Sequence, residues 1–218
     1  MKSAVIFDMD GVLIDSEPLW QQSGVAVLNQ YQVPVTLADM QTWTGMPANV
    51  IVQTACHKYA ISLDQKAVTQ AMLDYAIQLI ITQKPLMPAV KSTLAFLAEQ
   101  GLRMAIASAS PRYMLEGIVQ SCGIADYFDY ISSADELPFN KPHPMVYLQA
   151  CEKLGVMPQQ AIGIEDSKVG MIAVKAASMS CIVIPAQNAF EQPYWALADK
   201  KLHSLSEINQ SLLQQLDV

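Results

Sequence analysis

The sequence predicts an α/β fold: a parallel sheet with helices on both faces, interrupted near its start by a helical insertion. Three observations carry that reading. Residues 4–7, 103–107, 130–132, 161–164 and 180–184 are short apolar runs with the length and residue types of buried strands. Beyond residue 88 these runs alternate with amphipathic stretches of helical period, the pattern of βαβ units and a parallel sheet. Residues 16–84 contain no convincing strand, but three helical stretches at 19–31, 48–59 and 63–83.

Taken in order, the first strand, Ala4-Val5-Ile6-Phe7, delivers Asp8 and Asp10 onto the loop at its tip, and Gly11 permits a tight bend there. Pro34, Gly45 and Pro47 break the helical insertion, and Lys84-Pro85-Leu86-Met87-Pro88 closes it. Residues 1–15 and 85–218 are therefore assigned to the sheet domain and 16–84 to a helical one. Val90, Leu94, Leu97 and Ala98 share a helical face that ends at Gly101. The second strand runs into Ser108-Ala109-Ser110-Pro111. Leu115, Ile118, Val119 and Cys122 form the next apolar face, closed by Gly123. The third strand leads to Ala134-Asp135-Glu136-Leu137, and a helix follows Lys141-Pro142-His143-Pro144. The fourth strand is tipped by Glu165-Asp166-Ser167. Val169, Ile172, Ala173 and Ala176 face inward from the helix before the last clear strand.

Composition narrows the partners. Twenty acidic against 13 basic residues give a net charge of −7, which disfavours nucleic acid or an anionic membrane as the main partner. A small anionic substrate needs only a few local positive groups. The four cysteines are scattered, with no C-x-x-C pair, so zinc and a disulfide framework are not expected and a reducing cytoplasm is. The run 4–7 is too short for a secretory signal, and Asp74 and Gln78 interrupt the most apolar window, 71–81. The expectation is a soluble cytoplasmic monomer.

In parallel sheets ligands bind at the carboxyl ends of the strands, at a switch in strand order. Asp8 and Asp10, Ser108, Lys141, Glu165 and Asp166 all fall at or beyond those ends. Adjacent carboxylates repel and call for a counter-charge, and oxygen donors suit Mg²⁺. A lysine and a hydroxyl can hold phosphate oxygens, and a carboxylate can act as nucleophile. Each piece also has a plainer role: Ser108 as a turn hydroxyl, Lys141 as a solvated cation, Glu165-Asp166-Ser167 as a helix cap. Four such pieces at successive strand ends favour phosphoryl transfer over four separate coincidences.

Asp8-x-Asp10-Gly11, Ser108, Lys141-Pro142 and Glu165-Asp166-Ser167 together resemble the four motifs of the haloacid dehalogenase-like hydrolase superfamily. The resemblance spans nearly the whole chain and is nearest to the beta-phosphoglucomutase-like branch. Residues 7–20 and 107–111 are similar to the bacterial 2-deoxyglucose-6-phosphate (hexitol phosphate) phosphatases of that branch. It implies a Rossmann-like core with a C1-type cap and Mg²⁺-dependent hydrolysis of sugar phosphates through an aspartyl-phosphate. It implies Asp8 as nucleophile and Asp10 as general acid and base. The Asp8 carboxylate, the Asp10 main-chain carbonyl and Asp166 are implied to hold the metal, with Glu165 a ligand or close behind. Ser108, the Ala109 backbone and Lys141 would hold the phosphoryl group, and cap residues such as Trp20 would meet the sugar.

Phosphosugar mutases of this branch, the alternative activity, carry a hinge histidine where this chain has Trp20. They also carry an arginine shortly after the cap glycine, whereas here Met46-Pro47-Ala48-Asn49 follows Gly45. Both departures favour hydrolysis. A phospho-accepting signalling module also combines an aspartate, Mg²⁺ and a lysine, but Asp10 and the helical insertion argue against it.

Overall fold

The computed structural model describes residues 1–217. The chain begins with β1 (Ala4–Phe7) and continues through α1 (Glu17–Gln30), α2 (Leu37–Thr42), α3 (Ala48–Lys58) and α4 (Gln65–Gln83). Helix α5 (Val90–Glu99), β2 (Arg103–Ser108), α6 (Arg112–Cys122), β3 (Tyr130–Ser133) and α7 (Met145–Leu154) follow. Then come β4 (Ala161–Glu165), α8 (Lys168–Ala176), β5 (Ser180–Val183), β6 (Lys200–Lys201) and α9 (Gln210–Gln215). Two compact units result. One combines Met1–Asp15 with the chain from Leu86 on, and the other is Ser16–Pro85.

The first unit holds a six-stranded parallel sheet in the order β3-β2-β1-β4-β5-β6. Its Rossmann-like arrangement follows from burial on both faces. Ala4 and Ile6 of β1 join Val146, Tyr147, Ala150, Met171 and Val174 of α7 and α8 in one apolar cluster. Val5 and Phe7, which alternate to the opposite face, are buried as well, with Phe7 edge-on to Phe128. The strand order reverses direction at β1, between β2 and β4. Phe7 is in register with Ile106 and Ile164, so Asp8 emerges level with the ends of both neighbours.

The second unit is helical. Val27 and Leu28 of α1, Met40 of α2, Ile51, Val52 and Ala55 of α3 and Val68 and Met72 of α4 share its core. Helix α2 lies outside the helices expected from periodicity. Thr36 caps it, accepting from the Asp39 N–H at 3.2 Å while the Asp39 carboxylate takes the Thr36 N–H at 2.8 Å. Strand β6 was also not expected, because two lysines at a sheet edge have no apolar pattern to reveal them.

Candidate active site

The site is assembled by what happens just past β1 and β4. The Asp8 N–H still donates to the Ile164 carbonyl at 2.9 Å, so Asp8 is held by the sheet although it lies beyond the strand. The chain then turns tightly: the Gly11 N–H donates to the Ile14 carbonyl at 2.8 Å, and Gly11 has a φ of 76°. A Cβ on Gly11 would overlap the Asp166 carboxylate, so glycine is what lets Asp166 approach this loop. At the end of β4 the Glu165 carboxylate is packed as closely against Gly170 in the first turn of α8. Ser167 caps that helix, accepting from the Gly170 N–H at 3.0 Å, and donates its own hydroxyl to Glu165 Oε2 at 3.0 Å.

One ammonium joins the acids. Lys141 Nζ lies 2.9 Å from Asp8 Oδ1 and 2.7 Å from Glu165 Oε1, with its side chain only 6% exposed. Tyr147, wholly buried on α7, donates its hydroxyl to Glu165 Oε1 at 2.6 Å, and Lys141 Nζ sits 5.1 Å from its ring centroid. Burial, then Glu165, pushes the Asp8 carboxyl up to about 7 even though Lys141 pulls it down. Burial alone would depress the Lys141 ammonium, but Asp8 and Glu165 together outweigh it and hold its pKa above the usual lysine value. Asp166 is raised by burial and then by Asp8 and Glu165.

Asp8, Glu165 and Asp166 offer carboxylate oxygens that all lie within 4.8 Å of one another. An all-oxygen, acidic and buried donor set fits a hard divalent cation. Glu165 is the most committed of the three, since Lys141 and Tyr147 take Oε1 and Ser167 takes Oε2. Asp8 and Asp166 are therefore the better placed for a metal.

The loop after β2 supplies hydroxyls. Ser108, 1% exposed, accepts the Ser110 N–H at 3.1 Å, and Ala109 is exposed beside it. Ser110 Oγ lies 3.3 Å from Asp10 Oδ2. The structure thus brings Asp8, Lys141, Glu165 and Asp166 into one cluster and ties Asp10 to the Ser108–Ser110 loop. Trp20 lies half-buried on α1 in the helical unit. Sequence reasoning missed Tyr147, Ser110 and Ser133. The signal for Tyr147 was a tyrosine on a buried helical stripe, whose hydroxyl must find a partner inside.

Known proteins align with this reading. A family model described as haloacid dehalogenase-like hydrolase matches residues 5–184. Hexitol phosphatase B of Escherichia coli strain K12 is 41% identical over 207 residues, covering 94% of this chain and 93% of that protein. Phosphoglycolate phosphatase of Yersinia pseudotuberculosis is 33% identical over 182 residues, covering 82% of this chain and 78% of that protein. Among solved structures, beta-phosphoglucomutase from Clostridium difficile superposes with a TM-score of 0.81. The match covers 100% of this chain and 97% of that one at 23% identity, a level that speaks for the fold alone.

Proposed function

The chain belongs to the haloacid dehalogenase-like hydrolase family and is a phosphoric monoester hydrolase; from that premise we propose a Mg²⁺-dependent sugar-phosphate phosphatase working through an aspartyl-phosphate. The observation that carries the proposal is the buried Lys141 ammonium bridging Asp8 and Glu165 beside Asp166. It supports the reading of a nucleophile, a phosphate-binding cation and a metal-type acid pair gathered at neighbouring strand ends.

Asp8, Asp166 and the Asp10 main-chain carbonyl would hold Mg²⁺, which when bound supplies positive charge against the phosphoryl oxygens. Ser108 Oγ, the Ala109 N–H and Lys141 Nζ hold the non-bridging oxygens of the substrate. An Asp8 oxygen bonds to phosphorus as the bond to the sugar oxygen breaks. Asp10, entering as the carboxylic acid, gives that oxygen its proton, so the sugar leaves as a neutral alcohol. Asp10, now a carboxylate, then takes a proton from water as the water oxygen bonds to phosphorus. The acyl-phosphate bond breaks, phosphate leaves, and the Asp8 carboxylate and the Asp10 acid are restored.

The substrate class we favour is hexose or hexitol phosphates, such as 2-deoxyglucose 6-phosphate, supported by the relative at 41% identity over nearly the whole chain. Trp20 is proposed as an apolar wall for the sugar. Hydrolysis is favoured over mutase chemistry because no lysine or arginine lies between Asp15 and Asn49 to grip a second phosphate. The cytoplasm is the proposed compartment, in keeping with four buried free cysteines. The test is phosphate release from a panel of hexose, hexitol and pentose phosphates and phosphoglycolate, with Asp8→Asn as control. Release from hexose or hexitol phosphates that Asp8→Asn abolishes is the expected result. Turnover retained by Asp8→Asn overturns the mechanism, and a preference for phosphoglycolate overturns the substrate class.

A further inference from the structure

We infer that the Ser110 hydroxyl is a positioning group for the Asp10 carboxyl, and that the end of β3 holds it in place. The inference rests on the proposed acid–base role of Asp10. Ser110 Oγ is 3.3 Å from Asp10 Oδ2. The peptide groups on both sides of Ser110 are pinned by buried serines. Its N–H donates to Ser108 Oγ at 3.1 Å, and its carbonyl accepts from Ser133 Oγ at 2.7 Å. Ser108 is 1% and Ser133 0% exposed, so neither hydroxyl is a surface ornament. Two residues on, Arg112 makes a two-pronged contact with Glu136, at 2.7 Å and 2.8 Å, and thereby fastens the start of α6 to the segment that follows β3. The loop is therefore anchored on both sides of the Ser110 side chain, which reaches Asp10.

The chemistry gives that side chain a task. Asp10 must be an acid in the first step and a carboxylate in the second. A serine hydroxyl can accept from the first form and donate to the second, so it steadies both. At 3.3 Å the contact is loose, leaving the carboxyl room to tighten on a bound substrate. A loop serine that only completes the turn would have no reason to affect one leaving group more than another.

That difference is the test. The ratio kcat/KM reports steps up to cleavage of the ester bond, so hydrolysis of the aspartyl-phosphate does not enter it. A sugar oxygen needs a proton to leave; p-nitrophenolate does not. Ser110→Ala should lower kcat/KM for 2-deoxyglucose 6-phosphate about tenfold, a fraction of the ~10²–10⁴ that a whole acid–base group contributes. It should change kcat/KM for p-nitrophenyl phosphate by less than about twofold, since no proton is needed there. Ser110→Thr, which keeps a hydroxyl, should recover most of the loss. Ser133→Ala should show the same selectivity to a smaller extent, and it decides the matter if Ser110→Ala does not fold. Equal losses on both substrates, or no loss on the sugar phosphate, overturn the inference. Asp10→Asn in parallel separates the two levels of argument. If it shows the selective loss and the serine variants do not, only this inference falls. If Asp10→Asn shows none, the acid role falls and the inference with it.

Discussion

Without a cation the acid cluster should make the folded protein less stable as pH rises, and this can be measured. In the metal-free fold Asp8 is raised from 3.8 to about 7, by burial first and then by Glu165. In the unfolded chain an aspartate titrates near ~3.9. Between these values the native state keeps a proton that the unfolded state has lost, so unfolding releases it and stability declines with increasing pH. The decline begins above the unfolded value and is complete once pH passes about 7. At ~1.36 kcal/mol per pH unit over roughly three units, the loss is on the order of 4 kcal/mol. Asp166, raised as well, acts in the same direction. The proposed Mg²⁺ would bind the deprotonated carboxylates, so its stabilising effect should be small near about pH 5 and grow toward about pH 8. Urea unfolding in EDTA and in millimolar MgCl₂ across that range reads both effects. Asp8→Asn should flatten much of the EDTA slope. An unchanged slope in Asp8→Asn, or a Mg²⁺ effect that is the same at both ends of the range, would refute the reasoning.

Three further substitutions probe the surrounding structure. Lys141→Met removes the ammonium from Asp8 and Glu165; phosphate should become an at least ~tenfold weaker competitive inhibitor, and the fold should lose about 3–5 kcal/mol at alkaline pH, as when a buried pair is broken. Unchanged phosphate inhibition would remove Lys141 from the substrate site. Gly170→Ala drives a methyl group into the Glu165 carboxylate and should cost about 1–3 kcal/mol in urea unfolding, with a normal midpoint counting against the packing described. Trp20→Ala should raise KM for 2-deoxyglucose 6-phosphate roughly tenfold and for p-nitrophenyl phosphate far less, because the nitrophenyl ring replaces part of the lost packing. Equal changes would return Trp20 to the helical core.

Much of the sheet was legible because its signals are local. Apart from β3, which is half serine, the first five strands are short and mostly apolar runs, and α6 and α7 end at Gly123 and Gly155 with positive φ, as helix-closing glycines do. Helix α2 carried a local signal too, Thr36 three residues before Asp39, but its six residues are too few for periodicity. What holds it is distant: Asp39 also pairs with Lys58 and accepts from the Tyr59 hydroxyl at 2.9 Å. The site divides in the same way. Asp8, Lys141 and Asp166 could be read because each lies at or beyond a strand end, and parallel topology brings strand ends together. The partners of Tyr147 and Ser133 could not, since their hydroxyls meet groups 18 and 23 residues away, through the packing of α7 and the β2–β3 register.

The charges at the strand tips explain why a protein of net charge −7 can still take an anionic substrate, and why it would need a cation to do so. Asp8, Glu165 and Asp166 gather around the Lys141 ammonium, so a phosphate dianion approaching the ionised cluster meets an excess of negative charge. The Asp8 and Asp166 carboxyls are raised first by burial and then by this same excess of neighbouring negative charge. Protonation relieves the repulsion but would disable Asp8 in its proposed role as nucleophile, whereas a divalent ion would relieve it and leave the carboxylate ionised. Lys141 cannot do this alone, because one charge is shared between Asp8 and Glu165. The Tyr147 and Ser167 hydroxyls lessen the demand from Glu165 by occupying both of its oxygens. On the proposed mechanism Lys141 would then turn from Asp8 to a phosphoryl oxygen without leaving Glu165 bare in the interior. The Tyr147 and Ser167 hydroxyls therefore satisfy Glu165 independently of where the Lys141 ammonium points.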